Sequence, residues 1–278
     1  MINKIGAFFL KTVVNIVIGL FSLSCIFPIM WMVNSSLRTN SDFMSDGFAL
    51  ALEPYFGNIV KALQTSAFIR GFINSFILGT INVVLTVIFA FIVAYFLSRY
   101  QFRFRNVIYV LFISGMVMPT LSLLIPVFIQ FKALNLSNHW YTLVLPYVAF
   151  SLPFSVIVLE NYIHSIPIEM EEAAYLEGCK THQLMGKVIF PMCSPALSIV
   201  VITAFINAWN EFPFSLVLVN DEKLRTLSLA IRMFNSEHTM DYPMFISALV
   251  ISIIPIVIIY SIFAKKIMEG MTMGAVKG

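Results

Sequence analysis

The stretch Ile81–Tyr95 reads INVVLTVIFAFIVAY and carries apolar residues on every face of a helix. The alternation of apolar and polar residues that a membrane β-barrel strand requires is absent. Lipid cannot satisfy exposed backbone N–H and C=O groups, so a segment of this kind crosses a bilayer as an α-helix. The stretch therefore predicts an all-α integral membrane protein.

The composition of the whole chain agrees with this prediction. The chain is 278 residues long, 59% hydrophobic and 11% charged. Soluble domains carry about 25% charged residues, so the composition argues against a water-soluble fold. The formal net charge is only +3 and the basic residues are scattered, which gives no indication of a nucleic-acid partner. Membrane lipid is therefore the expected environment.

The number of membrane spans follows from the lengths of the apolar stretches. A bilayer core of about 30 Å needs about 20 apolar residues in a helix. Six stretches are long enough, at residues 12–33, 72–97, 107–130, 140–162, 196–219 and 243–264. They predict six transmembrane helices within a single transmembrane domain that covers residues 1–278.

Positive charges beside the spans predict the orientation. Arg99, Arg103 and Arg105 lie between the second and third spans without an acidic residue among them, and Lys265 and Lys266 end the last span. Both termini are therefore expected in the cytoplasm, in a multi-pass protein of the cell membrane. The polar loop of residues 165–195, between the fourth and fifth spans, is expected on the same side.

This polar loop contains the segment EEAAYLEG at residues 171–178. Pro167 suits the first turn of a helix, and the carboxylates that follow it suit the positive end of the helix dipole. Gly178 suits the end of that helix, and Thr181 suits the cap of the next. Ala173 and Ala174 are expected to form a small face that another protein can approach closely.

The loop resembles the EAA loop of ABC importer permeases, whose consensus is Glu-Ala-Ala, three residues, Gly, nine residues, Ile, any residue and Leu-Pro. The positions in register are Glu172, Ala173, Ala174, Gly178 and Pro191, with Val188 and Phe190 at the consensus Ile and Leu. Two further segments, WNEF at 209–212 and MTMGAVKG at 271–278, resemble the carbohydrate-uptake (maltose-type, MalG-like) branch of these binding-protein-dependent permeases.

The resemblance implies a type I ABC importer permease fold and a non-catalytic transport subunit for a sugar, a di- or oligosaccharide. It also implies a second homologous permease, an extracellular solute-binding protein and two ATP-binding subunits that use ATP and Mg. In this family the loop docks on the ATP-binding subunit, so an ATPase-coupling role falls on Glu171, Glu172, Ala173, Ala174, Leu176, Gly178 and Pro191.

The chain itself is expected to bind no cofactor. Its only Gly-Lys pair, Gly186-Lys187, has Thr181 at the first glycine of a phosphate-binding loop and Val188 at the Ser/Thr position. The four histidines, His139, His164, His182 and His238, are dispersed without metal-ligand spacing, so no metal site is expected. Hydrolysis of ATP must therefore be supplied by a partner.

Polar residues also lie inside the fifth predicted span, at Asn207, Trp209, Asn210 and Glu211. An ionisable group at bilayer depth is costly and normally faces a cavity or a partner. These side chains either contact a sugar in the pathway, or bond neighbouring helices or the partner permease as part of an outer gate. The second interpretation is favoured.

Two alternative functions are retained. One is an ABC permease for a non-sugar solute such as a glycerol phosphate derivative. The other is an ion-coupled secondary transporter, which would require several buried acids, whereas Glu211 is the only acid clearly embedded away from the helix ends. An intramembrane enzyme would require a catalytic constellation, and none is visible in the sequence.

Overall fold

The computed structural model describes residues 2–233 and 241–275, with side chains described for residues 10–232 and 241–266. Every regular element within these residues is helical, so the predicted all-α fold is confirmed. His238 and the last three residues of the MalG-like tail lie outside the described residues.

The helices fall into long apolar segments and short connecting ones. In chain order they are α1 Ile2–Ser36, α2 Asn40–Ser45, α3 Gly57–Gln64, α4 Ser66–Arg99, α5 Arg105–Val117, α6 Leu124–Ala133, α7 Val144–Ser165, α8 Glu169–Leu176, α9 Thr181–Leu184, α10 Phe190–Met192, α11 Ser194–Asn210, α12 Pro213–Leu218, α13 Leu227–Met233 and α14 Tyr242–Ala275. Shorter 3₁₀ turns cover Thr120–Leu123 and Glu222–Leu224, and a π turn at Met185–Ile189 joins α9 to α10.

Four segments are long and apolar enough to cross a membrane unaided, and they match the first, second, fourth and sixth predicted spans. They are Leu10–Ser36, Ser66–Arg99, Val144–Ser165 and Tyr242–Lys266. Two bent pairs of helices qualify together, and counting each pair as one span gives six. Within the described residues, the span count therefore agrees with the sequence only if the bent pairs are included.

The third predicted span, 107–130, is not one continuous helix. Arg105–Val117 and Thr120–Ala133 meet at an angle of 97°. Met118, with ψ 121°, is extended because the ring of the following Pro119 disfavours the helical conformation. Pro119 itself has no N–H to donate, so the helix ends there.

The fifth predicted span, 196–219, is wrong at both ends. Thr181–Met192 and Ser194–Asn210 form one bent pair with an angle of 79°, and α11 stops at Asn210. Phe212 precedes Pro213, which disfavours helical geometry at Phe212, and Pro213 then starts the separate helix α12. Hydropathy alone did not reveal these proline-determined boundaries.

The chain divides into two compact units. One comprises Met1–Phe68 with Ile231–Ile254, and the other Ile69–Ala230 with Pro255–Gly278. The second unit contains two buried apolar clusters. One surrounds Tyr95, Leu159 and Leu184, and the other surrounds Tyr147 and Leu218.

In the first unit, the loop after α1 is folded around a buried arginine. Arg38 is only 5% exposed, and its guanidinium donates to the carbonyls of Asp42 and Asp46, both at 2.6 Å. Buried Asn58 on α3 donates to the carbonyls of Ser36 at 2.9 Å and Arg38 at 2.7 Å. α3 ends at Gln64.

Replacing Asn58 by Ala should loosen this loop. The substitution leaves the Arg38 carbonyl without this donor and the Ser36 carbonyl with the longer bond from the Ser247 hydroxyl at 3.3 Å, at a cost of about 1–3 kcal/mol. We expect faster proteolytic cleavage between residues 39 and 56 in the purified protein, measured by mass spectrometry. Gln64→Ala, on the exposed side of the same helix, is the control and should cleave at the wild-type rate. Equal cleavage of the two variants would contradict the assigned role of Asn58.

Candidate functional site

The first part of the site is the short helix α8 and the chain that approaches it. The carboxylates Glu169, Glu171 and Glu172 lie in its first turn, as the sequence predicts. Pro167 lies before the helix rather than in it, because Ile168 is the N-cap. The helix therefore begins slightly later than expected and keeps its acidic first turn.

Glu171 points into the protein and is only 3% exposed. Its carboxylate accepts hydrogen bonds from Arg99 Nε at 2.5 Å and from the Tyr95 hydroxyl at 3.0 Å. Arg99 also donates from Nη2 to the carbonyl of Ile166 at 2.8 Å. Arg99 thus holds both the first turn of α8 and the chain that leads to it. In the sequence, Arg99 indicates only the orientation of the chain in the membrane.

Gly178 ends α8 in the left-handed conformation, with φ +85°. The N–H of Gly178 donates to the carbonyl of Tyr175 at 2.9 Å, and the N–H of Cys179 donates to that of Ala174 at 3.0 Å. This pair of bonds is the Schellman motif. No atom lies within 4 Å of the position that a side chain would take, so the backbone conformation, and not the available space, favours glycine.

The next helix starts differently from the prediction. Thr181 is its first residue and not its cap; instead, the amide oxygen of Gln183 accepts a hydrogen bond from the N–H of Lys180 at 3.0 Å. Farther along, α10 directly follows the π turn. Pro191 is its second residue and lies two residues before the bend at Cys193. A proline within a helix removes one backbone donor, which accounts for an irregular turn at this place.

The predicted pair of small alanines on one face is wrong. Ala174 is 8% exposed and packs in the apolar cluster around Tyr95, whereas Ala173 is exposed. The outward surface instead combines Ala173 with Met170 and Leu176. Leu176 is 91% exposed, the largest fraction among the large apolar side chains of the described chain. With Glu172 beside it, this group forms an apolar surface with an acidic margin, which we name the α8 face.

The second part of the site is a cavity of about 330 Å³. Its polar wall is formed by Thr120, Tyr147, Ser151, Asn207 and Glu211. Aromatic surface comes from Phe150 and Phe214. Hydroxyl, amide, carboxylate and ring groups therefore face one space, and this combination suits a polyhydroxylated solute.

Glu211 lies between α11 and α12, and its carboxylate bonds α12 and α7. One carboxylate oxygen accepts from the N–H of Phe214 at 2.6 Å. The other accepts from the Tyr147 hydroxyl at 2.8 Å and from the N–H of Ser215 at 3.1 Å. Glu211 therefore bonds a neighbouring helix, as one sequence interpretation expects, while it also lines the cavity.

The structure separates the four polar residues predicted in the fifth span. Asn207 and Glu211, four residues apart, line the cavity, and exposed Asn210 is not among its lining residues. Trp209 is 2% exposed, stacks on Phe205 at 5.5 Å and meets the edge of Phe72 at 5.3 Å. Its ring is thus occupied by packing and not directed at a solute.

Polar residues of α4 that lie near the cavity wall were not predicted from the sequence. Buried Asn82 of α4 donates to the carbonyl of Ala204 at 2.9 Å and to the Ser151 hydroxyl at 3.2 Å. The Thr86 hydroxyl donates to Asn82 Oδ1 at 3.3 Å. Asn82 and Thr86 are four residues apart in the otherwise apolar stretch 81–95, and this spacing on one helix face was the available signal.

A second buried acid lies near the end of α7. Glu160 is 3.7 Å from Arg105 Nη2.

Among the described residues, no three His, Cys, Asp or Glu side chains are grouped closely enough to hold a metal ion.

Comparisons with known proteins agree with this architecture. Residues 86–271 match the family described as binding-protein-dependent transport system inner membrane component. The chain belongs to this family. It is 32% identical to the sulfoquinovosyl glycerol transport system permease SmoH of Agrobacterium fabrum, over 91% of this chain and 89% of that protein. It is 31% identical to the trehalose/maltose transport system permease MalG of Thermococcus litoralis, over 93% and 94% of the two chains.

Among solved structures, the chain is similar to a bacterial ABC transporter involved in import of the acidic polysaccharide alginate. The TM-score is 0.81 with 24% identity, covering 92% of this chain and 95% of that one. This likeness confirms the importer-permease fold. Permeases of this family are non-catalytic membrane subunits, and the ATPase is a separate subunit. The resemblance found in the sequence is therefore confirmed at the level of the family.

Substitution of Gly178 should loosen the end of α8. A residue with a side chain pays about 1–2 kcal/mol in the left-handed conformation. We expect Gly178→Ala to speed amide hydrogen exchange in residues 174–179 by about 5–30-fold, and Gly178→Asn to have a smaller effect. Gly186→Ala is the matched control, because Gly186 lies in open space without a positive φ. Equal exchange in the Ala and Asn variants would argue against the backbone explanation.

Proposed function

We propose that this chain is the membrane-spanning permease subunit of an ATP-driven importer for a di- or oligosaccharide. It forms the translocation pathway with a second homologous permease and receives solute from an extracellular solute-binding protein. Two ATP-binding subunits use ATP and Mg to drive it. The complex lies in the bacterial cell membrane, with both termini of this chain in the cytoplasm.

The observation that carries this proposal is the α8 face on a firmly held helix. Its charged neighbour Glu171 is buried against Arg99, and Gly178 turns the chain sharply at the other end. Met170, Ala173 and Leu176 are thereby left outward. Contiguous exposed apolar side chains mark interaction surfaces. The proposed occupant is a cleft on the ATP-binding subunit with an apolar floor and a basic margin that complements Glu172.

The proposed solute class rests on the cavity and on the relatives. The permeases of A. fabrum and T. litoralis are named for sulfoquinovosyl glycerol and for trehalose and maltose. The described residues that line the cavity include hydroxyl, amide and carboxylate groups that can bond the hydroxyl groups of a sugar. A di- or oligosaccharide is therefore preferred over a glycerol phosphate derivative.

The docking proposal predicts that Leu176→Asp releases the ATP-binding subunit. Burying a leucine contributes about 1.5–3 kcal/mol, and an aspartate would have to be desolvated in its place. We expect at least about a tenfold loss of the ATP-binding subunit that co-purifies with this chain. Leu52→Asp is the control, because Leu52 is 89% exposed in the loop after α1. Undiminished co-purification of Leu176→Asp would refute docking through the α8 face.

The solute proposal is tested with the complete complex in proteoliposomes, together with its solute-binding protein. We expect a di- or oligosaccharide to stimulate ATP hydrolysis and uptake, and uptake to require ATP and not an ion gradient. Glu211→Gln should alter the apparent solute affinity, since Glu211 lines the cavity. Stimulation by a glycerol phosphate derivative alone would overturn the sugar assignment, and uptake driven by an ion gradient would overturn the importer.

A further inference from the structure

Residues at the end of α4 bond the proposed coupling segment, which we define as residues 166–178. Arg99, in the last turn of α4, contacts Glu171 in α8 and the carbonyl of Ile166 just before it. Tyr95, one turn earlier, adds a bond to the same carboxylate. Both members of the ion pair are almost fully buried, so water competes little for their hydrogen bonds. The position of α8 is thus tied to α4 by three directed bonds.

The same helix reaches the wall of the cavity. Asn82 lies seventeen residues before Arg99, which corresponds to about 25 Å along a helix. Asn82 bonds α11 at the carbonyl of Ala204 and α7 at the hydroxyl of Ser151. Ser151 lines the cavity. α4 therefore joins the coupling segment to the cavity through one continuous helix with polar contacts near each site.

We propose that the Arg99–Glu171 pair is a positioning latch that makes α8 and α4 move together, so that displacement of α8 is delivered through α4 to the cavity wall. The inference rests on the proposed function, in which the ATP-binding subunit moves α8. Arg99 and Glu171 are positioning residues, since neither touches the solute. Contiguous rigid elements of this kind are the physical means by which distant sites are coupled.

A purely structural role for the pair makes a different prediction. Replacing both members of a buried ion pair by well-packed hydrophobic residues of similar volume is often harmless to stability, because the cost of desolvating two charges disappears. Two Gln amides likewise remove both charges, and they can bond each other. A purely structural pair would therefore tolerate the double substitution. A latch would not, because neutral amides hold the angle between the helices less firmly than a charged guanidinium–carboxylate pair.

The test uses the complete complex with its ATP-binding subunits and solute-binding protein. The variants are Arg99→Gln, Glu171→Gln and the double variant, with Arg103→Gln as the matched control. Arg103 belongs to the same basic cluster, is exposed, and lies over the ring of Phe104 at 5.6 Å. Three quantities are measured for each variant: co-purified ATP-binding subunit, rate of ATP hydrolysis, and solute uptake per assembled complex.

For the double variant we expect normal co-purification and near wild-type hydrolysis, since the α8 face is untouched. Uptake should fall by about tenfold, within the usual range of coupling between sites. Either single variant should lose at least as much uptake, and Arg103→Gln should match the wild type. The double loss should be smaller than the product of the single losses, because the two residues act as one unit.

Wild-type uptake in the double variant would overturn the latch, and so would parallel losses of assembly, hydrolysis and uptake. The results for the wild type and Arg103→Gln distinguish failure of the latch proposal from failure of the proposed function. If neither of them retains an ATP-binding subunit, the proposed function fails. If the wild type, Arg103→Gln and the double variant all take up solute at the same rate per assembled complex, only the latch proposal fails.

Discussion

The arrangement of α8 depends on one constraint, namely that a buried carboxylate must be met by donors. Glu171 is removed from water, and the desolvation of its charge would be costly without a partner. Arg99 and Tyr95 supply the donors from α4, and this contact fixes which side of α8 faces inward. Ala174 then follows Glu171 into the apolar cluster. Met170, Ala173 and Leu176 remain outside as a direct consequence.

The need to pair charged and polar groups also organises two other irregular segments of the chain. Glu211 stands where the backbone leaves the helical conformation, and its carboxylate accepts from the first free N–H groups of α12. In the other compact unit, Arg38 gathers the carbonyls of the loop after α1. In each case a charged side chain replaces hydrogen bonds that a non-helical backbone cannot make for itself. Charged residues are few in this chain, and these two lie at breaks in regular structure.

The sequence was sufficient for features that depend on local composition. The apolar spans, the acidic first turn of α8 and the glycine at its end all follow from neighbouring residues. The inward turn of Ala174, the packing of Trp209 and the partner of Glu171 do not. Glu171 and Arg99 are 72 positions apart, and neither hydropathy nor spacing registers a contact at that distance. The bends at Pro119 and Pro213 had a local signal, but length and hydropathy concealed it.

The placement of the two proline breaks bears on the function of the cavity. One break precedes Thr120 and the other lies between Glu211 and Pro213, and all three of these residues line the cavity. Broken helices are tolerated at membrane depth only where protein or a water-filled space satisfies the freed backbone groups. Glu211 satisfies part of this requirement at one break. The other break borders the same cavity, whose wall includes hydroxyl and amide groups. Two independent breaks beside one cavity are the arrangement that the proposed solute pathway requires.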